Sequence, residues 1–256
     1  MSDTNYTLAE LLIVAASEAW RGEGEVLATG IGLIPRLAAS LSMCTNNPQL
    51  MMTDSEAFIV SEPVPVGPRG GYKPKFETWM GFSRIFDNVW SGKRHALVGP
   101  TQVDRFAQGN ISAIGGSYAK PKVMMLGVRG FPGNSFSHKN SFFVPNHSKQ
   151  VFVEGEVDVV CSIGYNPERL PKGYTFDDIL FGKIFTNLCV LDFGGPNKQA
   201  RLVSVHPGVT VEQVRENTGF ELYVEGDVPT TPAPTAEQLA IIARLDPKNL
   251  RASALG

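Results

Sequence analysis

The spacing of apolar and polar positions alternates between a helical and an extended period, and this order predicts an α/β protein. Leucine and alanine recur at helical spacing over residues 8–20, behind a Thr7–Glu10 capping box, which predicts an amphipathic helix. EVLATG predicts a short strand, and GIGLIPRLAASLSM predicts a glycine turn followed by a helix. The next apolar run, PQLMMTDSEAF, completes a β-α-β order, which predicts a parallel strand pair with a right-handed crossover.

The rest of the chain continues this mixture of elements. Residues 61–77 are rich in proline and glycine and predict a loop long enough to indicate function or partner contact. A helix is predicted within residues 79–91, and capping boxes at Thr210–Gln213 and Thr235–Gln238 predict two more. Further strands are predicted in RHALVGPTQVD, KVMMLGVRGFPGN, FTNLCVLDFGG and ARLVSVHPG, and QVFVEGEVDVVCSIGY carries runs of β-branched residues. We expect one domain over residues 1–256, in which about 226–256 form a C-terminal linker and helix.

Composition narrows the functional classes. The chain has 256 residues, 43% hydrophobic content and a net charge of −2, so it lacks the positive surface that a nucleic-acid partner requires. Its first apolar run, residues 11–16, is too short to span a membrane, and MSDTNYT lacks the basic region of a signal peptide, which predicts a cytoplasmic protein. Three widely separated cysteines and four scattered histidines show no metal-ligand spacing, and we expect no metal site.

Two glycine-rich stretches are candidates for ligand binding. Gly30 and Gly32 precede a predicted helix, where backbone amides can bind an anion or an oxyanion; a tight structural turn explains them equally well. GVRGFPGN, residues 127–134, follows an apolar strand and would let a ligand approach the backbone closely, although an irregular turn is an equal alternative. Arg129 within it suits a phosphate, a carboxylate or a structural salt bridge.

Acidic side chains end the strand in MMTDSEAFIV. Ligands of open α/β sheets bind beyond the carboxyl ends of strands, and a carboxylate there can act as a nucleophile or a general base. In an extended chain Asp54 and Glu56 face one way and Ser55 the other. These residues alone leave two interpretations open, a reacting carboxylate and a solvated loop carboxylate.

Taken in order, several stretches resemble the β subunit of family I CoA-transferases, such as glutaconate and 3-oxoacid CoA-transferases. The resemblance runs from about residue 8 to 225 and is carried by GIGLIPRLAAS, DSEA, VGPTQVDRFAQGNIS, GVRGFPGN and ENTGFEL. TDSEA, GVRGFPGN and LDFGGP are more similar to the β subunits of bacterial steroid-ring-cleaving CoA-ester hydrolases, which share that fold. The resemblance implies an α/β sandwich of three layers around a mostly parallel sheet.

The resemblance also implies a function. It suggests an αβ or α2β2 enzyme with its active site between unlike subunits, no permanently bound cofactor, and CoA as cosubstrate. Glu56 falls where the family has the glutamate that attacks an acyl-CoA thioester and forms a glutamyl-CoA intermediate. The residues expected to line the CoA and oxyanion side are Gly30, Gly32, Gly127, Arg129, Gly130, Gly133 and Asn134.

Three functions are therefore open at this point. The first is transfer of CoA between carboxylic acids. The second is hydrolytic cleavage of a ring carbon–carbon bond in a CoA-linked steroid catabolite, with Glu56 as a nucleophile or a general base. The third is a non-catalytic subunit that supports an active α subunit.

Overall fold

The computed structural model describes residues 5–54 and 57–255, whose internal contacts form two compact units. The first unit contains the described residues up to Leu97 and from Pro232 onward, and the second contains Val98–Thr231. The helices are α1 Leu8–Ser17, α2 Leu33–Cys44, α3 Phe82–Trp90, α4 Phe131–Ser137, α5 Val211–Glu216 and α6 Ala236–Leu245. The strands are β1 Leu27–Gly30, β2 Met52–Asp54, β3 Phe58–Val60, β4 Phe76–Trp79, β5 Arg94–Val98, β6 Gln102–Val103, β7 Gly109–Asn110, β8 Ala113–Ser117, β9 Lys120–Met124, β10 Lys139–Val144, β11 Phe181–Thr186, β12 Cys189–Asp192 and β13 Arg201–Val205.

Helices α1 and α2 pack against each other in the first unit. The predicted capping box begins α1, because Thr7 Oγ1 accepts the Glu10 backbone N–H and the Glu10 carboxylate accepts the Thr7 N–H at 2.8 Å. Leu12 on α1 and Leu37 and Leu41 on α2 are inaccessible to solvent. Burial of each such leucine contributes about 1.5–3 kcal/mol. This packing therefore holds α2 in place against α1.

The predicted β-α-β unit is only partly correct. Met51 makes an isolated parallel bridge with Leu27, but β2 then turns away and pairs antiparallel with β3. The full parallel partner of β1 is β5, in register from Leu27 opposite Arg94 to Gly30 opposite Leu97. The order of elements along the chain predicted β2 as the neighbour of β1. The prediction was wrong because the neighbour, β5, comes from a later part of the sequence.

The C-terminal segment is packed into the first unit. The capping box of Thr235 and Gln238 begins α6 as predicted. Where α6 ends, the carbonyl of Leu245 accepts the N–H of Val66 at 2.8 Å and so anchors the proline- and glycine-rich loop of residues 61–77. This contact connects the end of the chain to the loop that borders the cleft described below.

Parallel and antiparallel strands share the sheet of the second unit. Strand β10 pairs parallel with β11, and β11, β12 and β13 pair antiparallel in sequence order. Aromatic rings fill its interior: Phe142 packs edge-on against Phe181, with centroids 4.6 Å apart, and Phe131 at the start of α4 lies 5.9 Å from Phe142. These rings fix the position of α4 on β10.

The β-branched runs of QVFVEGEVDVVCSIGY do not form an extended strand. Only isolated bridges occur there, Phe152 with Val103 and Ser162 with Gly109. Its β-branched residues therefore lie in irregular chain, because β propensity alone does not form a strand where no neighbouring strand pairs with it.

We expect Arg251 to be a strong stabilising contact of the first unit. Its guanidinium, 11% exposed, binds Glu10 Oε1 at 2.8 Å and Asp246 Oδ2 at 3.1 Å. Arg251→Met leaves two largely buried carboxylates without this partner, and we expect a loss of about 2–3 kcal/mol in the free energy of unfolding, measured by urea denaturation. The control Arg21→Met removes the surface pair with Glu18 and should cost less than about 1 kcal/mol. Equal losses in the two variants would contradict this assignment.

Candidate functional site

The turn between β1 and α2 is dictated by close backbone packing. A Cβ atom on Gly30 would lie 2.4 Å from the carbonyl oxygen of Pro35, so no other residue fits there. Gly32 is the N-cap of α2 with φ of +105°, a conformation that L side chains rarely adopt. Because glycine offers no capping side chain, the first N–H groups of α2 are available to an external acceptor.

A cleft of about 380 Å³ opens beside this turn in the first unit. Asp54, at the end of β2, is 4% exposed, and its Oδ1 atom accepts hydrogen bonds from Arg69 Nη2 at 2.7 Å and Arg36 Nη2 at 3.3 Å. The cleft is lined by Gly30, Gly32, Leu33, Arg36, Asp54, Pro65, Val66, Gly67 and Arg69. Among the described residues that line the cleft, two guanidinium groups and one carboxylate give a formal charge of +1, which favours anionic ligands.

The predicted catalytic residue, Glu56, lies outside the described residues, as does Ser55. Its role therefore stays a prediction based on sequence. Asp54, two positions earlier, is the last described residue before it and lines the cleft.

The predicted glycine-rich loop lies in the second unit, and its second half is helical. Helix α4 begins at Phe131, so Gly133 and Asn134 belong to the helix, and Gly130 is its N-cap. The prediction of a loop through residue 134 is wrong for these positions, because burial of Phe131 against Phe142 favours continuing the helix there.

Arg129 has an unusual backbone conformation in this loop. Its φ is +49°, in the left-handed region that costs a non-glycine residue about 1–3 kcal/mol, and Gly127, two residues earlier, has φ of +81°. The Arg129 guanidinium makes no hydrogen bond or ion pair with any other residue that the structure describes. A structural salt bridge was one of the roles that the sequence left open for Arg129, and no described residue is its partner in such a bridge.

The seven predicted binding residues thus form two groups. Gly30 and Gly32 share the cleft with Asp54 in the first unit. Gly127, Arg129, Gly130, Gly133 and Asn134 surround the start of α4 in the second. Each group is compact by itself.

A second cleft, of about 430 Å³, lies within the second unit around the VDRFAQGN stretch. Asp104 is 2% exposed, and its Oδ1 atom accepts the backbone N–H groups of Phe106 and Gln108, each at 2.9 Å. Burial raises the pKa of the Asp104 carboxyl to about 7, although these two donors oppose the rise. Glu156 across the cleft binds Arg169 through two hydrogen bonds of 2.8 and 2.6 Å. The VDRFAQGN stretch therefore forms a turn whose backbone N–H groups bind the Asp104 carboxyl group.

The four histidines are structural, as their scattered positions suggested. All are buried and each ring has a partner. His147, for example, lies between the hydroxyls of Thr186 and Thr218 at 3.1 and 2.9 Å, and burial lowers its pKa to about 3. A histidine held neutral in this way is not available for acid–base chemistry near neutral pH.

Sequence reasoning did not identify Arg36 and Arg69 as residues of this cleft. Arg36 is in the first turns of α2 and Arg69 is in the 61–77 loop, and they converge only through Asp54. The available signal was an arginine between proline and glycine in PRGG, within a loop already predicted to be functional.

Two further properties concern only residues 5–54 and 57–255. No helix among them is both long and apolar enough to cross a membrane. They also contain no group of three or more His, Cys, Asp and Glu side chains arranged to hold a metal ion.

Known proteins resemble this chain along almost its full length. It is 39% identical over 252 residues to the cholesterol ring-cleaving hydrolase IpdB subunit of Rhodococcus jostii, covering 97% of this chain and 96% of that protein. A chain of the Rhodococcus jostii RHA1 IpdAB crystal structure superposes with a TM-score of 0.89 at 37% identity, covering 99% and 100% of the two chains. One subunit of the 3-oxoadipate CoA-transferase of Pseudomonas knackmussii is 31% identical over 260 residues, covering 96% of each chain. No protein-family model matches the sequence.

The glutaconate CoA-transferase of Acidaminococcus fermentans shares the fold, with a TM-score of 0.79 at 24% identity over 99% of this chain and 98% of that one. This confirms the predicted fold class, α/β around a mostly parallel sheet of the family I CoA-transferase type. The chain belongs to the family of CoA-transferase β subunits, which includes the ring-cleaving hydrolase subunits of the same fold. It is accordingly a subunit of an enzyme.

The raised pKa of Asp104 predicts a pH-dependent stability. The unfolded chain releases this proton near pH 3.8 and the folded chain near pH 7, so stability from this group falls as pH rises between those values. The loss is at most about 4 kcal/mol. Asp104→Asn keeps the Oδ1 acceptor but does not titrate, so we expect it to be near neutral at pH 4 and stabilising at pH 8 in urea denaturation. A variant whose stability differs from wild type by the same amount at both pH values would contradict the shifted pKa.

Proposed function

We propose that this chain is the β subunit of a two-subunit enzyme that hydrolyses a ring carbon–carbon bond in a CoA-linked catabolite and leaves the thioester intact. The observation that carries the proposal is the order of similarity. The chain is 39% identical to a cholesterol ring-cleaving hydrolase subunit and 31% identical to a CoA-transferase subunit, each over nearly full length. A cytoplasmic location is consistent with use of CoA esters.

The proposed hydrolysis proceeds through addition of water, cleavage of the carbon–carbon bond and return of a proton. Hydrolysis between two carbonyl groups begins when the oxygen of water adds to one carbonyl carbon while a base takes the proton. The carbon–carbon bond then breaks, its electron pair passes to the carbon beside the second carbonyl, and that carbon takes up the proton. The products are a new carboxylate and an unbroken CoA thioester.

We assign these tasks to residues of this chain as part of the proposal. Glu56 takes and returns the proton. The amides at the Gly30–Gly32 turn, ahead of α2, offset the negative charge on the tetrahedral oxygen. The Gly127–Asn134 group, whose Arg129 guanidinium has no partner among the described residues, is assigned to binding CoA.

A partner α subunit is part of the proposal, because the relatives are named as one subunit of a pair. Helix α3 supports it. This helix is strongly amphipathic but has no buried residue, and Trp79, Phe82, Phe86 and Trp90 in and before it are 50–73% exposed. Exposed aromatic faces of this kind are typical of surfaces that another chain covers.

CoA transfer is the second candidate function, and it is supported by the sequence resemblance, which aligns Glu56 with the glutamate of the CoA-transferases. In transfer the Glu56 carboxylate attacks the thioester carbonyl and CoA leaves as a thiolate. The thiolate then attacks the resulting anhydride at the glutamyl carbonyl, giving glutamyl-CoA and a free carboxylate. A second carboxylic acid receives CoA by the reverse steps, so transfer consumes no water.

Oxygen isotopes separate the two reactions. We expect the assembled αβ enzyme, given a CoA ester with a cyclic 1,3-diketone in water enriched in oxygen-18, to place one heavy oxygen in a new carboxylate with CoA still attached. Mass spectrometry of the product measures both features. CoA appearing on an added carboxylic acid, without heavy oxygen, would instead establish transfer.

Substitution of Glu56 tests whether the subunit is catalytic. We expect Glu56→Gln to lower turnover of the assembled enzyme roughly a thousand-fold or more, because glutamine can neither attack nor accept a proton. The matched control is Glu62→Gln, which removes a carboxylate bound to Lys75 at 3.1 Å and should leave turnover within about two-fold. Full activity of Glu56→Gln would support the third alternative, a non-catalytic supporting subunit.

A further inference from the structure

We propose that two buried residues, Gly109 and Asn110, position the loop of residues 126–130 for binding CoA. The inference rests on the proposed function, which assigns Arg129 of this loop to CoA. It goes further by giving a task to the VGPTQVDRFAQGNIS stretch, which has no part in the proposed reaction. Both residues act through the loop, so they are positioning residues and not ligand contacts.

Both ends of this loop are attached to residues 109–112, the GNIS stretch. At the first end, the N–H of Met125 donates to the carbonyl of Ser112 at 2.7 Å. At the second end, Phe131 is 4% exposed and its ring lies against Gly109, where an added Cβ atom would be 3.1 Å from Phe131 Cε1. The five residues of the loop therefore span two fixed points on one short stretch, which restricts the conformations open to them.

Helix α4 is held beside Gly109 by a second contact. The buried residues of this helix are Phe131 and Ser135, and because they are four positions apart they lie on one face. Ser135 Oγ is 2.6 Å from Ser162 Oγ, and the carbonyl of Ser162 accepts the Gly109 N–H at 3.2 Å. Movement of the first turn of α4 away from Gly109 would disrupt both contacts.

Asn110 keeps the GNIS stretch in one conformation. Its side chain is inaccessible to solvent, and its Oδ1 atom accepts the N–H of Ser112 at 2.9 Å. Its Nδ2 atom donates to Gln102 Oε1 at 2.7 Å and to the carbonyl of Ala113 at 2.8 Å. A buried amide with these partners favours a single geometry, because leaving any of them unpaired inside the protein is costly.

The backbone of Arg129 shows why the loop has to be held. Arg129 is exposed, and its φ of +49° is a strained conformation that persists only where the surrounding structure imposes it. The fixed ends at Met125 and Phe131 are the contacts that impose it. They set the direction in which the Arg129 side chain leaves the backbone before CoA binds, which reduces the entropy lost on binding.

Gly109→Ala tests the positioning role. Gly109 does not have a positive φ, so alanine fits the backbone and adds only a methyl group, 3.0 Å from Phe142 Cζ and 3.1 Å from Phe131 Cε1. We expect this crowding to displace Phe131 and, with it, the end of the loop. Isothermal titration of CoA into the assembled αβ enzyme should give a Kd about 3- to 10-fold higher than that of wild type.

Arg129→Gln distinguishes positioning from a general structural defect. This substitution alone should raise the Kd about 10- to 100-fold, because it removes charge-assisted hydrogen bonds to an anionic group of CoA. In the Arg129→Gln background, Gly109→Ala should change the Kd less than about two-fold, since the group that it displaces is already absent. A general defect would weaken binding by the same factor in both backgrounds, and that result would overturn the inference.

Gly99→Ala is the matched control. Gly99 is an exposed glycine of the same unit whose added Cβ would lie 3.4 Å from the carbonyl oxygen of Phe143, and we expect the Kd to stay within about two-fold of wild type. If Gly109→Ala does not assemble, Phe131→Leu replaces it, because it shortens the side chain that lies on Gly109 and should show the same dependence on Arg129. An unchanged Kd in Gly109→Ala, or in Phe131→Leu where that replaces it, would overturn the inference alone. Failure of the wild-type enzyme to bind CoA would instead contradict the proposed function.

Discussion

A single buried carboxylate organises the cleft of the first unit. Burying a carboxylate is costly unless it is paired and hydrogen-bonded, and Arg36 and Arg69 both bind the same oxygen of Asp54. Its position follows from β2, whose antiparallel pairing with β3 ends at Asp54 opposite Phe58. The strand thus determines where the carboxylate is, and the carboxylate determines where two cationic groups face the cleft.

Contacts between distant parts of the sequence hold this arrangement in place. They also explain why the C-terminal segment belongs to the first unit. Arg69 belongs to a loop that has little regular structure, and the hydrogen bond from Val66 to the carbonyl of Leu245 anchors it to the end of α6. Arg251 in turn binds the end of α6, through Asp246, to α1. The position of the loop that carries Arg69 therefore depends on contacts that also stabilise the C-terminal segment.

Features formed by residues close together in the sequence were predictable. Contacts between residues far apart in the sequence were not. The capping boxes beginning with Thr7 and Thr235 each involve residues three apart, and the structure contains both. The pairing of β1 with β5 joins segments nearly seventy residues apart, and no short pattern encodes it. The glycines at 30 and 32 were identified, but the reason for Gly30, a carbonyl 2.4 Å from its missing side chain, exists only in the folded chain. Arg36 and Arg69 were missed for the same reason.

The most direct test of the central idea, that Asp54 organises an acyl-binding cleft in this chain, is a crystal structure of the assembled αβ enzyme with a bound CoA ester. We predict that the acyl group lies in the cleft beside Asp54, with the carbonyl group that reacts near the turn at Gly30 and Gly32. An ester bound with its acyl group elsewhere, while the cleft beside Asp54 contains only solvent, would contradict it.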